Sequence, residues 1–186
     1  MDRVLYNFFE ELIESTMIMG DTFSSPIKKS AEIFAEALLS GNTIFTIGEG
    51  ASSLSAQLFS NNLALGNQIE RPGFPSLNLN QITDSCDITQ HIKILSTHSK
   101  ESDILLLLSR GGSCDEFILI IQAAVKLRLT IVLLAYKDDT ILIESLRPQD
   151  LCIDMSRFEK RMLTQLQSQI VECLSQLIDN FILGEN

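Results

Sequence analysis

The spacing of apolar residues predicts helices at both ends of the chain, with strands and helices alternating between them. Residues 4–19 have helical spacing, and a second helix is expected from Pro26 to about Ser40, with Ser25 as its N-cap. A last, long amphipathic helix is expected over residues 157–184. Strands are expected at 43–47, 75–80, 103–108, 130–136 and 151–154. The helical segments between them are expected at about 52–65, 84–97, 114–127 and 139–146.

The predicted strands indicate an α/β fold built on a parallel sheet. The runs ILLLL and TIVLLAY are continuously apolar, as in strands that are covered on both faces. We expect one domain, in which residues 1–40 form two N-terminal helices, 41–156 the α/β core and 157–184 the C-terminal helix. These terminal helices carry more apolar surface than a small sheet needs for cover. That surface either joins subunits of a homo-oligomer or extends the core of a monomer.

Composition and charge exclude several classes of function. The net charge of −10 argues against direct contact with a nucleic-acid backbone. No apolar run approaches the ~20 residues of a membrane span, and no signal peptide is evident, so we expect a cytoplasmic protein without membrane contact. The cysteines form no CxxC pair, which predicts reduced thiols in the core and not a disulfide frame or zinc site. They are Cys86, Cys114, Cys152 and Cys173.

Two loops rich in glycine and serine follow buried strands and are candidates for anion binding. The first reads GEGASS at 48–53 and the second SRGGSC at 109–114. Backbone N–H groups at such loops can hold an anion at the carboxyl edge of a parallel sheet. An ordinary strand-to-helix turn is the alternative for each loop, and neither matches a Walker motif or a complete dinucleotide fingerprint. The candidate residues are Gly48, Glu49, Gly50, Ser52, Ser53, Ser109, Gly112 and Ser113.

Five segments of the chain together resemble the sugar isomerase (SIS) domain family. They are GEGASSLSAQLF, ERPGFPSLNLN, LLLLSRGGS, RPQD and LIDN, of which ERPGFP and LIDN are the more specific. The chain is most similar to the branch that contains the phosphoheptose isomerases and the DnaA initiator-associating proteins. The resemblance runs from about Gly41 to Asn180. It implies a three-layer αβα sandwich with a five-stranded parallel sheet, assembled as a homotetramer.

The resemblance also implies that the isomerase chemistry is lost. Aldose–ketose isomerisation needs a base, and often a second acid or a metal. The His and Glu positions in the helix after the first loop correspond to Leu58 and Asn62, neither of which can move a proton. The Gln and His positions of the last helix correspond to about Thr164 and Glu172. We therefore expect no catalytic residue, metal or cofactor.

The two histidines of the chain do not suggest a metal site either. His91 and His98 are separated by roughly 10 Å of rise along a predicted helix, which is too far to share one ion. We expect both of them on the surface.

Both candidate loops depart from the family pattern. The second loop usually reads S-x-S-G-x-S, and Gly111 and Cys114 replace two of its hydroxyl residues. In the first loop Glu49 replaces the usual asparagine. A carboxylate about 4 Å from a phosphate oxygen repels it by roughly 4 kcal/mol at an effective dielectric constant of about 20. Turning into solvent or pairing with Arg110 would reduce this penalty, but we expect that the loop no longer holds phosphate.

Two functions follow from these observations. The first, which the resemblance implies, is a non-catalytic protein that binds the initiator DnaA and promotes its assembly at the chromosomal origin, with Phe181, Ile182 and Leu183 as the contact. These three residues either bind that partner or pack between subunits, and a partner other than DnaA is a further possibility. The alternative is a phosphoheptose isomerase-like enzyme or carbohydrate-derivative binder. In it, Ser52, Ser53, Ser109 and Ser113 would hold the phosphate, and Glu49 or Glu172 would act as base.

Overall fold

A five-stranded parallel sheet with the strand order β2-β1-β3-β4-β5 lies at the centre of the fold. The computed structural model describes residues 2–66, 69–82, 88–112 and 115–184. The strands are β1 (Ile44–Gly48), β2 (Ser76–Asn78), β3 (Ile104–Leu108), β4 (Thr130–Ala135) and β5 (Leu151–Asp154). The helices are α1 (Asp2–Leu39), α2 (Ser52–Leu65), α3 (Leu79–Ile82), α4 (Ile88–His98), α5 (Asp115–Lys126), α6 (Thr140–Glu144) and α7 (Leu163–Leu183). All five predicted strands are confirmed, although β2 ends at Asn78 and α3 begins at Leu79, within the strand predicted over 75–80. The three-layer αβα class is confirmed as well.

Alternate residues of each central strand face opposite layers of helices. In β3, Ile104, Leu106 and Leu108 pack in a cluster with α1, α2 and α7. Leu105 and Leu107 pack on the other side, with residues of α4 and α5. All five residues of this strand are at most 1% exposed. The sheet is thus buried on both faces, as its continuous apolar runs predict.

The structure corrects the prediction of two N-terminal helices, because α1 is one helix that contains Pro26. Met19, Phe23 and Ile27 recur every four residues through this position, and all three are buried. An interior proline removes one backbone hydrogen bond and crowds the preceding turn. Burial of the continuous apolar stripe outweighs that cost, so the helix does not end at Ser25.

The last helix also begins later than predicted. A short 3₁₀ turn at Lys160–Met162 precedes α7, which starts at Leu163 and not at Arg157. The backbone before it is tied to the end of β4. Met155 donates its N–H to the carbonyl oxygen of Ala135 (2.9 Å), and the hydroxyl of Tyr136 donates to the carbonyl oxygen of Phe158 (2.9 Å). Glu159 then has an extended backbone (φ −72°, ψ 138°), so no helix runs through it.

The two most specific motifs of the sequence, ERPGFP and LIDN, meet at one buried ion pair. Arg71 donates from Nε to Asp179 Oδ1 at 2.7 Å, and both side chains are at most 4% exposed. The guanidinium also donates to the carbonyl oxygens of Asn62 and Leu63, at 3.0 and 2.9 Å, near the end of α2. It lies over the ring of Phe74, 3.9 Å from the centroid. Arg71 therefore joins the end of α2 and the segment before β2 to the end of α7.

The first half of α1 carries an apolar stripe that no other part of the described chain covers. Leu5, Phe9, Ile13 and Met17 follow one another at four-residue steps and are 52–67% exposed. Glu10, Glu14 and Asp21 border the same groove. In the part of the chain that the structure describes, none of the helices has the length and apolarity that crossing a membrane requires.

Candidate functional site

The two glycine- and serine-rich loops lie side by side at the carboxyl edge of the sheet. They follow β1 and β3, which are neighbours with Gly48 in register with Leu108. Glu49 donates its N–H to the carbonyl oxygen of Leu108 at 3.0 Å. In return the backbone N–H of Arg110 donates to Glu49 Oε2 at 2.9 Å. The structure thus brings together the two loops, and the Glu49 carboxylate bonds across them.

Gly48 is required where β1 turns into the first loop. A Cβ atom at this position would lie 2.3 Å from the carbonyl oxygen of Ser52. Asn80 secures the same residue, since its Oδ1 accepts from the N–H of Gly48 (2.9 Å) and its Nδ2 donates to the Gly48 carbonyl oxygen (3.1 Å). Sequence reasoning missed Asn80. The sequence offers no signal for it, because its place opposite Gly48 follows from the strand register, in which Thr46 pairs with Asn78.

The backbone donors at the start of α2 are used within the turn. The N–H groups of Ser52 and Ser53 donate to the carbonyl oxygens of Glu49 (2.9 Å) and Gly50 (3.1 Å). Ser52 is fully buried, and its hydroxyl has no hydrogen-bond partner among the described residues. Ser53 is half-buried. The first loop therefore keeps one unsatisfied buried hydroxyl beside an internally bonded turn.

The second loop is also largely bonded within the protein. Gly111 donates its N–H to Ser109 Oγ (3.0 Å), and Gly112 donates to the carbonyl oxygen of Lys137 (3.0 Å). Gly111 has φ +86° and a Cβ there would lie 2.4 Å from the carbonyl oxygen of Lys137, so only glycine fits. Gln167 on α7 donates from Nε2 to the carbonyl oxygen of Ser109 at 2.9 Å. Ser113 and Cys114 lie outside the described residues.

The guanidinium of Arg110 does not pair with the Glu49 carboxylate. Such a pair was one of the two ways in which we expected the repulsion between Glu49 and a phosphate to be reduced. It extends to α7, where Nη1 donates to Thr164 Oγ1 at 3.1 Å. Its Cδ lies 3.3 Å from the point where a Cβ of Gly50 would be, so it passes close to the first loop. The hydrogen bond from Arg110 to the Glu49 carboxylate therefore comes from the backbone N–H and not from the side chain.

The four positions that the resemblance assigned to isomerase chemistry have different surroundings. Leu58 is half-buried and packs on the core, and Thr164 is half-buried beside Arg110. Asn62 is buried and donates from Nδ2 to Ser175 Oγ at 3.4 Å, while Glu172 is exposed on α7. The described residues contain no group of three or more His, Cys, Asp or Glu side chains arranged to hold a metal ion.

A polar seam, in which polar side chains of α2 bond to polar side chains of α7, lies between the two helices. Ser55 Oγ lies 2.9 Å from Ser168 Oγ, and the Asn62–Ser175 contact repeats this pairing seven residues along both helices. The two helices therefore run parallel to each other. The side chains that bond across the two helices are serines and an asparagine. None of these exchanges a proton near neutral pH.

The histidines and cysteines agree with our expectation in part, since His91 is buried and Cys173 lies outside the core. His98 is exposed, but His91 is only 6% exposed, because it shares a face of α4 with the buried Leu95. Cys152 is half-buried and Cys173 exposed, and both are free thiols, whereas Cys86 and Cys114 lie outside the described residues. Burial, with Asp154 and Asp139 nearby, raises the pKa of Cys152 to about 11. Desolvation also raises the pKa of Cys173. Neither environment activates a thiolate.

The three residues at the end of α7 divide between the surface and the core. Phe181 is 41% and Leu183 48% exposed. Ile182 is half-buried and packs on the main apolar cluster. With a rise of about 1.5 Å per residue, Phe181 lies ~25 Å along α7 from Thr164. The loops and the apolar end of α7 are therefore separate candidate sites.

Comparison with known proteins places this architecture in a family. Residues 7–135 match the SIS domain. The DnaA initiator-associating protein DiaA of Photorhabdus laumondii is 31% identical over 97% of this chain and 95% of its own length. The protein of the same name from Escherichia coli O1:K1 is 29% identical over 92% of both chains.

Solved structures show the same fold. A phosphoheptose isomerase from Francisella tularensis superposes with a TM-score of 0.85 at 21% identity, over 96% of this chain and 97% of its own. The phosphoheptose isomerase GmhA from Neisseria gonorrhoeae gives a TM-score of 0.86 at 16% identity, over 96% and 98%. The match over residues 7–135 and the similarity to DiaA across nearly the whole length agree with this architecture, and the chain belongs to the SIS domain family.

Proposed function

We propose that this chain is a non-catalytic SIS-domain protein of the cytoplasm, which binds the replication initiator DnaA and promotes its assembly at the chromosomal origin. The observation that carries the proposal is the similarity to the DnaA initiator-associating protein of P. laumondii, at 31% identity over 97% of the chain. It covers nearly the whole length of the chain. We propose that the protein holds its partner and that the partner, not this acidic chain, holds the DNA.

The chemistry of the loops and of the α2–α7 seam supports a role without catalysis. Leu58 and Asn62 stand at the positions that the resemblance assigns to a His and a Glu, and neither can exchange a proton near neutral pH. Asn62 is bonded to Ser175, and Glu172 is exposed to solvent. A Glu49 carboxylate between the loops disfavours a phosphorylated substrate.

We place the partner contact at the end of α7. Phe181 and Leu183 are large apolar side chains that are 41% and 48% exposed, whereas Ile182 packs on the core. Exposed aromatic and aliphatic side chains of this kind serve as anchors in protein–protein contacts. Ile182 then holds the end of the helix in place, and Phe181 and Leu183 bind the partner.

We further propose that the protein works as a homotetramer. The apolar stripe of α1 supplies surface for contacts between subunits, because Leu5, Phe9, Ile13 and Met17 are all more than half exposed in the single chain. Several copies of the α7 contact in one particle would bind several initiator molecules at once. Weak single contacts then gain strength from their high effective concentration.

The test is a pull-down of purified DnaA by wild-type protein and by Phe181→Ala/Leu183→Ala. We expect the double variant to lose at least about tenfold in affinity, since two apolar anchors are removed. Leu119→Ala/Ile141→Ala is the matched control, because these residues are 46% and 52% exposed on α5 and α6. Gel filtration verifies that all three proteins have the same oligomeric state. A wild type that fails to retain DnaA contradicts the proposal, and equal retention by the α7 variant contradicts its placement.

The alternative function is binding or isomerisation of a sugar phosphate. The fully buried Ser52 hydroxyl favours it, since a buried hydroxyl without a partner is costly and a ligand oxygen would satisfy it. Calorimetric titration of the wild type with fructose 6-phosphate tests it directly. Heat of binding would favour this alternative, and its absence leaves the initiator-binding role.

A further inference from the structure

The Glu49 carboxylate sits in an unusual position for a negative charge. It belongs to one loop of a pair whose glycines and helix N-termini normally favour an anion, and it accepts the backbone N–H of Arg110 from the other loop at 2.9 Å. A glutamate side chain in a loop has the reach to turn into water. Here it is instead half-buried and ordered by a charge-assisted hydrogen bond. The loops therefore already hold an anion, and that anion belongs to the protein.

A second, independent feature is an unsatisfied polar group in the first loop. Ser52, whose N–H donates to the Glu49 carbonyl oxygen, is fully buried, and its hydroxyl lacks a partner among the described residues. A buried hydroxyl of this kind leaves a donor available to a ligand. The aliphatic part of the Arg110 side chain also passes beside Gly50 of the first loop. The N–H of Arg110 would be a further donor if Glu49 did not occupy it.

We propose that the Glu49 carboxylate is an internal ligand, which occupies the anion position between the two loops, joins them, and excludes phosphate monoesters. It has two effects that a ligand would have: it satisfies the N–H of Arg110 and it links the loop after β1 to the loop after β3. This hydrogen bond holds the two loops together through a side chain of the protein itself. Loss of the charge at this one position opens an anion site.

The experiment compares wild type with Glu49→Asn, Glu49→Asp and Glu144→Asn. Glu144 is an exposed acid at the end of α6 and controls for the loss of one charge. The probes are inorganic phosphate and fructose 6-phosphate, titrated calorimetrically and by thermal unfolding in a phosphate-free buffer. We expect Glu49→Asn to bind phosphate at least about tenfold more tightly than wild type. Glu49→Asp keeps the charge, and Glu144→Asn keeps Glu49, so both should bind no better than wild type.

The thermal measurement provides a second readout. Without phosphate, Glu49→Asn should unfold at a lower temperature than wild type, because the link between the loops is lost. Phosphate should raise its unfolding temperature and leave that of wild type unchanged. Gain of phosphate binding by Glu144→Asn, or a folded Glu49→Asn that ignores phosphate, overturns the inference. Glu49→Gln replaces Glu49→Asn if the latter fails to fold.

The inference does not depend on the proposed partner. Glu49 lies at the opposite end of α7 from Phe181 and Leu183, so Glu49→Asn should retain DnaA as well as wild type does. Tight phosphate binding by the wild type would overturn the internal-ligand inference and favour the sugar-phosphate alternative. Loss of DnaA binding by Phe181→Ala/Leu183→Ala alone bears only on the partner contact. The two proposals thus fail in distinguishable ways.

Discussion

At the scale of single residues, Arg71 satisfies several buried polar groups at once. Its guanidinium bonds the Asp179 carboxylate and two carbonyl oxygens of α2, and its face covers the ring of Phe74. An arginine fork is suited to this arrangement, since it offers five donors in fixed directions. Gly73 lets the segment before β2 lie close to the end of α2, because a Cβ there would lie 2.2 Å from the carbonyl oxygen of Ala64.

Removal of Arg71 should therefore be costly. We expect Arg71→Met to lower the free energy of unfolding by about 3–5 kcal/mol, because it leaves the buried Asp179 carboxylate without its counter-ion. Arg128→Met is the matched control, as Arg128 pairs with Glu101 at side-chain exposures of 72% and 63% and should change stability by less than about 1 kcal/mol. Urea unfolding at one fixed protein concentration measures both. Equal effects of the two variants would show that the Arg71 pair has no special role.

Residue roles were predictable from sequence only where the residue type itself restricts the chemistry. Leu58 cannot carry a proton in any surroundings, so its inability to act as an acid or a base could be stated without coordinates. Glu49 was identified as an obstacle to phosphate, but its bond to the Arg110 N–H depends on the adjacency of two loops that are 61 residues apart. The contact of Asn80 with Gly48 depends on strand register, and the burial of His91 depends on which face of α4 packs on the core. Such roles belong to tertiary structure.

At the scale of elements, α1 shows how packing overrides a local signal. Ser25 and Pro26 together are typical of a helix start, but the helix continues through them because Met19, Phe23 and Ile27 share one buried stripe. The strands were more predictable, since each is a short, continuous apolar run between turn residues. The start of α7 was missed because the contacts of residues 155–158 with the end of β4 are not visible in periodicity.

The continuity of α1 gives a prediction at this scale. Pro26→Ala restores a backbone donor in a helix interior, so we expect the free energy of unfolding to rise by up to about 3 kcal/mol. Ser25→Ala distinguishes one continuous helix from two helices of which the second begins at Ser25. In a continuous helix it should be neutral or slightly stabilising, whereas the loss of a true N-cap would cost about 1 kcal/mol. Urea denaturation measures both variants, and destabilisation by both of them would contradict a continuous helix.

At the scale of the whole molecule, the apolar stripe of α1 is the feature that the single chain leaves uncovered. We expect Phe9→Glu/Ile13→Glu to produce a smaller species by gel filtration with light scattering, since charges at these exposed positions oppose association. Retention of DnaA should then fall at least about tenfold through loss of multivalency, with the α7 contact intact. Leu39→Glu/Leu54→Glu is the control, because these residues are 68% and 63% exposed outside the stripe. Unchanged size of the Phe9/Ile13 variant would place the subunit contacts elsewhere.

The packing of α1 against α7 has a consequence for the order in which the protein forms. Thr16 of α1 donates to Gln169 Oε1 of α7 at 3.0 Å, and Arg157, in the segment before α7, donates to Thr22 Oγ1 at 2.8 Å, so these contacts span at least 135 residues of chain. During translation α1 leaves the ribosome before any strand, and α7 leaves after all of them. Contacts of such long sequence separation slow folding, because the intervening chain must first be ordered. The buried residues Met19, Phe23 and Ile27 of α1 therefore remain without their α7 neighbours until that helix has been synthesised.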